Sequence, residues 1–214
     1  MKKITYILLL TSCTILHAQD SLRTIVIKLS PQHLLMRTGR FEIEKRILKS
    51  RNAYVIAPML HFGDPDNILT TLRGSSNGQM VGVGVEVLHK IYTQVQRERS
   101  GIYFAYGLNY NHYDIKYNGF GWAATKNEDQ LDISEYKLLD QKQIINRIGF
   151  AALTGIEVYS SNYFVIDFYI GFGFKYSVID APNGDQNRYK ANYLDYGFSG
   201  FEPRLGIKLG LLLF

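Results

Sequence analysis

The 214-residue chain has one cysteine, Cys13, so no disulfide within the chain can staple it. It has no HExxH pair, no Gly-rich phosphate loop and no paired Cys, which leaves no standard zinc or nucleotide signature and no expected cofactor or metal. The formal charge is only +5, and no Lys/Arg run is interleaved with stacking aromatics, so nucleic acid is not an expected partner. No apolar run reaches the roughly 20 residues of a membrane-spanning helix. If this chain enters a membrane, it does so as strands. What it does have is 46% hydrophobic and 14% aromatic residues, enough for a packed structure of one domain.

The N-terminus reads as a secretory signal over residues 1–18. Lys2 and Lys3 precede the apolar stretch ITYILLLTSCTIL, and Leu16-His17-Ala18 places a small residue before Gln19. The mature domain is then 19–214, with its charge reduced to +3 by the loss of the two lysines. Leu10-Thr11-Ser12-Cys13 also matches the box preceding a lipidated cysteine. The apolar run continues past it to the site at Ala18, which favours cleavage there.

From Ser21 onward the pattern has period two, the mark of strands with two unlike faces. Eight runs are expected, at about 24–35, 39–48, 53–63, 80–91, 101–116, 142–159, 163–177 and 201–214. Most exceed the usual strand length of about 5–6 and reach the roughly 9–11 residues of a tilted transmembrane strand. Short connections, KSRN (49–52), TQVQRERS (93–100) and SSN (160–162), alternate with long ones at 64–79, 117–141 and 178–200. That alternation predicts an all-β, eight-stranded antiparallel transmembrane β-barrel, with short periplasmic turns and three long outer loops. Pro31 interrupts the first run and predicts a bulge there.

Two faces follow from the parity of each run. One is apolar: Phe164, Ile166, Phe168, Ile170, Phe172 and Phe174 are its clearest stretch, and they are predicted to face lipid. The other carries glycine and charge, with Glu42, Glu44, Glu86, Glu157 and Asp167 against Lys28, Arg46, Arg147, Lys175, Arg204 and Lys208. A soluble lipid-binding barrel would turn the apolar face inward, but an eight-stranded interior has little room for so many Phe, Ile and Leu side chains. Charges removed from water persist when paired. A lumen network of Glu42, Glu44, Arg46, Glu86, Arg147, Glu157 and Asp167 is therefore expected. Polar exceptions on the apolar face (Lys45, His89, His112, Asp114) fall near run ends, with Thr154 and Pro58 deeper. Aromatic girdles are expected at Tyr54, Tyr92, Tyr103, Tyr159 and Tyr163 below, and at Phe62, Tyr110, Tyr117, Phe174 and Tyr176 above.

The segment KLSPQHLLMRTGRFEIEKRI, followed by a short turn and YVIAPMLHFG, resembles the opening of the small outer-membrane β-barrel proteins of Bacteroidota-type bacteria. The resemblance rests on the Pro-x-x-Leu segment, Gly39 and Glu44, with Ile43 where the family usually has an aromatic. The C-terminal RLGIKLGLLLF likewise resembles the strand such barrels present to the barrel assembly machinery. The resemblance implies an outer-membrane location in a Gram-negative bacterium, export through the secretory pathway, and contact with outer-membrane lipid and lipopolysaccharide. It implies no activity.

Three functions follow as expectations. The first is a non-enzymatic surface protein, acting through its extracellular loops in envelope integrity or in binding an extracellular or periplasmic partner. The second is a lipid A-modifying enzyme using His112 oriented by Asp114, with Ser134 or Ser199 approaching from a loop. The third is a soluble periplasmic lipid carrier. The acidic loop 118–141, the stretch DAPNGDQN (180–187), which loosely resembles a calcium loop, and Trp122 complete the candidates.

Overall fold

The computed structural model describes residues 24–47, 50–65, 78–93, 100–126, 132–160, 163–181, 189–190 and 195–213. The expected signal with Cys13, residues 182–187 of the stretch DAPNGDQN, Glu128, Asp129 and Phe214 lie outside them. The elements are β1 (Ile25–Leu29), α1 (Pro31–Leu35), β2 (Thr38–Arg46), β3 (Asn52–Gly63), β4 (Gln79–Tyr92), β5 (Ser100–Lys126), β6 (Asp132–Tyr159), β7 (Phe164–Asp180) and β8 (Gly200–Leu212). Each strand pairs antiparallel with its sequence neighbours, and β1 also pairs with β8, closing one eight-stranded sheet into a ring. The end carrying the connections 47–52, 93–100 and 160–163 is called the lower end below.

The register sets the shape of the ring. A row of opposed residues runs through Ile27, Ile43, Ile56, Val87, Leu108, Phe150, Phe174 and Phe201. Carried on by the β8–β1 register, it returns to the first strand's line ten residues beyond its start, at position 37. With a rise of about 3.3 Å per residue and strands about 4.8 Å apart, this offset tilts the strands by roughly 40°. The interior of such a ring is filled by side chains.

The first expected strand, 24–35, is corrected by the structure. β1 ends at Leu29, and Pro31 sits in the first turn of α1, where its fixed φ suits a helix and its missing N–H is no loss. Arg37, with φ 54°, turns the chain out of the helix into β2. The β1–β8 ladder runs only from Val26–Leu212 to Leu29–Leu209, so residues 200–208 of β8 have a strand on one side only. Leu213 N donates to Ile25 O while Leu212 N donates to Tyr163 O, so odd-numbered β8 residues turn their N–H toward the β1 side. Pro203 has that parity and lies on the unpaired stretch, where a missing donor breaks no ladder. The wall is completed there by α1. The Gln32 side-chain amide donates to the Tyr169 hydroxyl at 3.1 Å, and a Cβ on Gly206 would fall 2.8 Å from that hydroxyl. Pro58 leaves a smaller mark: the β2–β3 ladder skips 41–42 opposite 57–58, where Pro58 has no N–H to give.

The expected loop at 117–141 is also corrected. β5 and β6 continue as a hairpin, pairing from Tyr117–Gln141 up to Lys126–Asp132. β4 reaches only Lys116 and β7 only Ile144, so these ten pairs stand above the ring, about 33 Å of two-stranded ribbon.

Candidate functional site: the interior of the ring

Side chains alternate as the period-two pattern requires, but charge is inside and apolar surface outside. Outward, Leu205 is 73% exposed, Ile170 61% and Leu108 60%; inward, Glu42, Glu44, Glu86, Glu157 and Asp167 are all 0% exposed. The stretch Phe164–Phe174 lies on the outward face of β7, with Phe168, Ile170, Phe172 and Phe174 exposed. The outward polar exceptions are partnered. Thr154 donates to the Tyr103 carbonyl at 3.1 Å, Lys45 to Thr24 at 2.8 Å, and His89 stacks on Tyr54 at 5.1 Å.

In the lower interior, three cations meet three carboxylates from five strands. The Lys28 ammonium donates to Glu44 at 2.7 Å, to Asp167 at 2.9 Å and to Glu157. Lys90 donates to the same three, at 2.9, 3.3 and 2.6 Å respectively for Glu44, Asp167 and Glu157. Arg46 spans Glu44 at 2.8 Å and Glu157 at 2.5 Å. Remaining carboxylate lone pairs accept from the Tyr92, Tyr103 and Tyr159 hydroxyls, at 2.6, 2.7 and 3.1 Å. Beside this lattice, Ala53, Val55, Leu88, Ala105, Ala151 and Leu153 pack into an apolar cluster that includes the rings of Tyr92 and Tyr103.

Above it the stoichiometry changes. Arg40 pairs with Glu42 at 2.6 Å and with Glu86, Lys208 with Glu42 at 2.9 Å, and Arg204 with Glu86 at 2.5 Å and Glu202 at 3.1 Å. Lys175 shares Glu202 at 2.5 Å. The expected membership of Arg147 in the ion-pair network is corrected: among the described residues no carboxylate lies within ion-pair distance of it. Arg147 donates instead to the Tyr113 hydroxyl and the Tyr196 carbonyl, and its partners in the two ladders, Asn111 and Ser177, are uncharged. His33 reaches the same region from α1, off the strands. A second apolar cluster, joining Met80, Tyr113, Ile115 and Ile145 to the loop residues Tyr189 and Tyr196, covers the top.

The sequence reading missed Lys90, Arg40 and Glu202. All three share parity with charges it identified: Lys90 with Glu86, Arg40 with Glu42, Glu202 with Arg204. Four expected girdle tyrosines are corrected as well. Tyr92, Tyr103 and Tyr117 are buried inside and Tyr159 bonds Glu157 there, since each has the parity of the charged face. Tyr54, Tyr163, Tyr110 and Tyr176 are exposed on the outer face.

The candidate catalytic pair is not assembled. His112 Nδ1 bonds Asn146 Oδ1 at 2.8 Å, while Asp114 pairs with Lys142 at 2.8 Å. Ser134 stands opposite Ala124, twelve residues from Asn146 and thus about 40 Å up the hairpin. Ser199 is engaged inside, where its hydroxyl accepts from the Ser177 N–H at 3.0 Å. On the hairpin, Trp122 is 70% exposed and packs on Tyr136 at 5.2 Å, with Phe120 stacked on the same ring at 5.7 Å. Among the described residues no cluster of His, Cys, Asp and Glu has metal-binding geometry. No protein-family model, curated protein or solved structure matches the chain.

Proposed function

We propose that the protein is a non-enzymatic outer-membrane β-barrel, acting through its outer loops in envelope integrity or partner binding. The observation that carries this reading is the inverted polarity of the closed sheet: an exposed belt of Leu, Ile, Phe and Val around an interior of ion pairs. In water that belt would be a continuous apolar surface far larger than the few hundred Å² a soluble monomer shows. In a bilayer it is the solvated face, and the unpaired edges of the ring are the stretch covered by α1 and the upper end of β7, where residues 176–180 pair with β6 alone. Outward charges support the same reading, since Lys45 sits at the lower rim and the Asp114–Lys142 pair at the upper one. A soluble lipid carrier would need an apolar interior, which the charge lattice replaces.

The projecting β5–β6 hairpin supports action through the loops. Its ten ribbon pairs are in register with neither β4 nor β7, and beyond the buried Tyr117–Gln141 pair at the base they hold Phe120, Trp122 and Tyr136 in solvent above the belt. Exposed aromatics on a two-stranded ribbon suit contact with a partner surface.

Fractionation tests the location. The protein is expected in the outer-membrane pellet after an alkaline carbonate wash, requiring detergent for release. Recovery in the aqueous periplasmic fraction would overturn the reading. For the non-enzymatic assignment, lipid A mass spectra of cells with and without the gene are expected to match; a changed acyl pattern restored by the wild type but not by His112→Ala would revive the enzyme.

A further inference from the structure

The upper interior contains a cavity of about 170 Å³. Its walls come from two unlike sources: the charged upper ring, and the stretch where α1 stands in for a strand. Gln32, His33 and Met36 line it from α1, with Pro203 and Leu205 from the unpaired part of β8. The cavity therefore abuts the seam in the wall, while Tyr196 of the covering loop lies over it.

We propose that this chamber binds an oxyanion, a phosphate group in particular, with Arg147 as its principal ligand. Among the lining residues, Arg40, Arg147, Lys175 and Arg204 face a single carboxylate, Glu202. Arg40 and Arg204 are matched by Glu86 and Glu42 just below, and Lys175 by Glu202. Arg147 has no such match among the described residues. Its guanidinium is held by the Tyr113 hydroxyl, the Tyr196 carbonyl and the face of the Tyr113 ring, 5.1 Å away, while its buried Nε has no acceptor among the described residues. A second donor points the same way. Asn109 is 4% exposed, lines the chamber, and its side-chain Nδ2 has no acceptor among the described residues. Two buried unpaired donors, one of them charged, in a region where cations outnumber carboxylates define a site complementary to an anion. The planar guanidinium offers paired N–H groups that match phosphate geometry.

The phosphate has two possible sources: a free ion entering from the loop side, or the headgroup of an anionic lipid reaching in through the α1–β8 seam. The site itself stands on the interior geometry and does not depend on the membrane reading; only the lipid route does.

The test uses the full-length mature chain refolded in non-ionic detergent, with phosphate-free buffer. Titration calorimetry with inorganic phosphate is expected to give saturable binding at one site, weakened about tenfold or more in Arg147→Gln, as loss of a charge-assisted hydrogen bond implies. Arg147→Lys should recover part of the affinity. Asn109→Asp, which places a carboxylate in the chamber, should abolish binding without touching Arg147. Lys137→Gln, on the hairpin, should leave it unchanged. In a parallel arm, native mass spectrometry follows protein taken from nanodiscs of phosphatidylglycerol or of phosphatidylcholine. Retention of phosphatidylglycerol by the wild type, lost in Arg147→Gln, assigns the lipid source; phosphate binding with no retained lipid assigns the free ion. Folded protein that binds neither phosphate nor anionic lipid overturns the proposal, as does binding unaltered by both Arg147→Gln and Asn109→Asp.

Discussion

The lower and upper halves of the interior are built from the same residue types and reach opposite outcomes. Below, Lys28, Arg46 and Lys90 balance Glu44, Glu157 and Asp167, and three tyrosine hydroxyls use the remaining acceptors. Above, four cations (Arg40, Lys175, Arg204 and Lys208) share three carboxylates (Glu42, Glu86 and Glu202), a fifth, Arg147, pairs with none of them, and a cavity remains. A matched lattice has nothing left to bind with and acts as a plug. An unmatched one retains donors and room, and so retains binding capacity. The difference traces to the outline of the wall: at the lower end all eight strands reach the ring, whereas above Leu29 the first strand is gone and α1 fills its place.

The sharpest way to break the contrast is to remove one cation from each half. Lys90→Met leaves Glu44, Glu157 and Asp167 with one ammonium fewer in a site sealed from water, and should destabilise the folded protein by about 3–5 kcal/mol. Adding Glu157→Gln to that variant should restore part of the loss, because the charge count is matched again. Arg147→Gln orphans no carboxylate, and its unfolding midpoint should stay close to that of the wild type. Urea titrations of protein refolded into lipid vesicles, followed by far-ultraviolet circular dichroism and by heat-dependent mobility, compare the three. Equal losses for Lys90→Met and Arg147→Gln would remove the distinction between plug and chamber.

A second contrast separates the outer face from the inner one. Leu108 lies near the middle of the stretch of β5 that is paired on both sides, and its side chain is exposed. If that face meets lipid, Leu108→Lys should cost about 2–4 kcal/mol, against about 0–1 kcal/mol for Tyr176→Lys at the upper rim. In detergent-free water the two substitutions would differ little, and both would improve solubility. The same urea titrations read the result, and a Leu108→Lys that stabilises the protein would defeat the membrane reading.

How much of this was legible in the sequence depends on how local each feature is. The alternation in 163–176 fixes both faces of β7 from the residues alone, because burial on one side of a strand imposes period two. The inward positions of Glu42, Glu44, Glu86, Glu157 and Asp167 follow from parity in the same way. Lys90 has that parity too, but Leu88 stands between it and Glu86 and masks the charged face. Arg147 could not be separated from the network by parity, since pairing across the ring depends on which non-neighbouring strands bring a carboxylate opposite. The hairpin at 117–141 was obscured for a different reason: beyond its buried first pair, Tyr117–Gln141, the ribbon has no buried face, and its Asn, Gly and acidic residues read as a loop. At the seam, Pro31 predicted a bulge within a strand running to 35, whereas the strand ends at Leu29 and Pro31 opens a helix. That the break is a helix set into the wall follows only from the contacts of Gln32 with Tyr169 and Gly206.

Those contacts support the last and smallest prediction, which concerns the seam that divides the two halves. Gly206 leaves the space taken by the Gln32 amide and the Tyr169 hydroxyl, so Gly206→Val should push α1 off β8 at about 1–3 kcal/mol, the usual range for overpacking. Gln32→Ala removes only the 3.1 Å hydrogen bond and should cost about 0.5–1.5 kcal/mol. Both act at the cavity wall above the plug, so neither should open a path through the ring. In planar bilayers the wild type and both variants should show no steady conductance, because the Lys28–Glu44–Lys90–Glu157 lattice closes the lower interior whatever α1 does. Conductance that appears on displacing α1 alone would mean that the helix, rather than the lattice, is the plug, and the comparison between the two halves would have to be reversed.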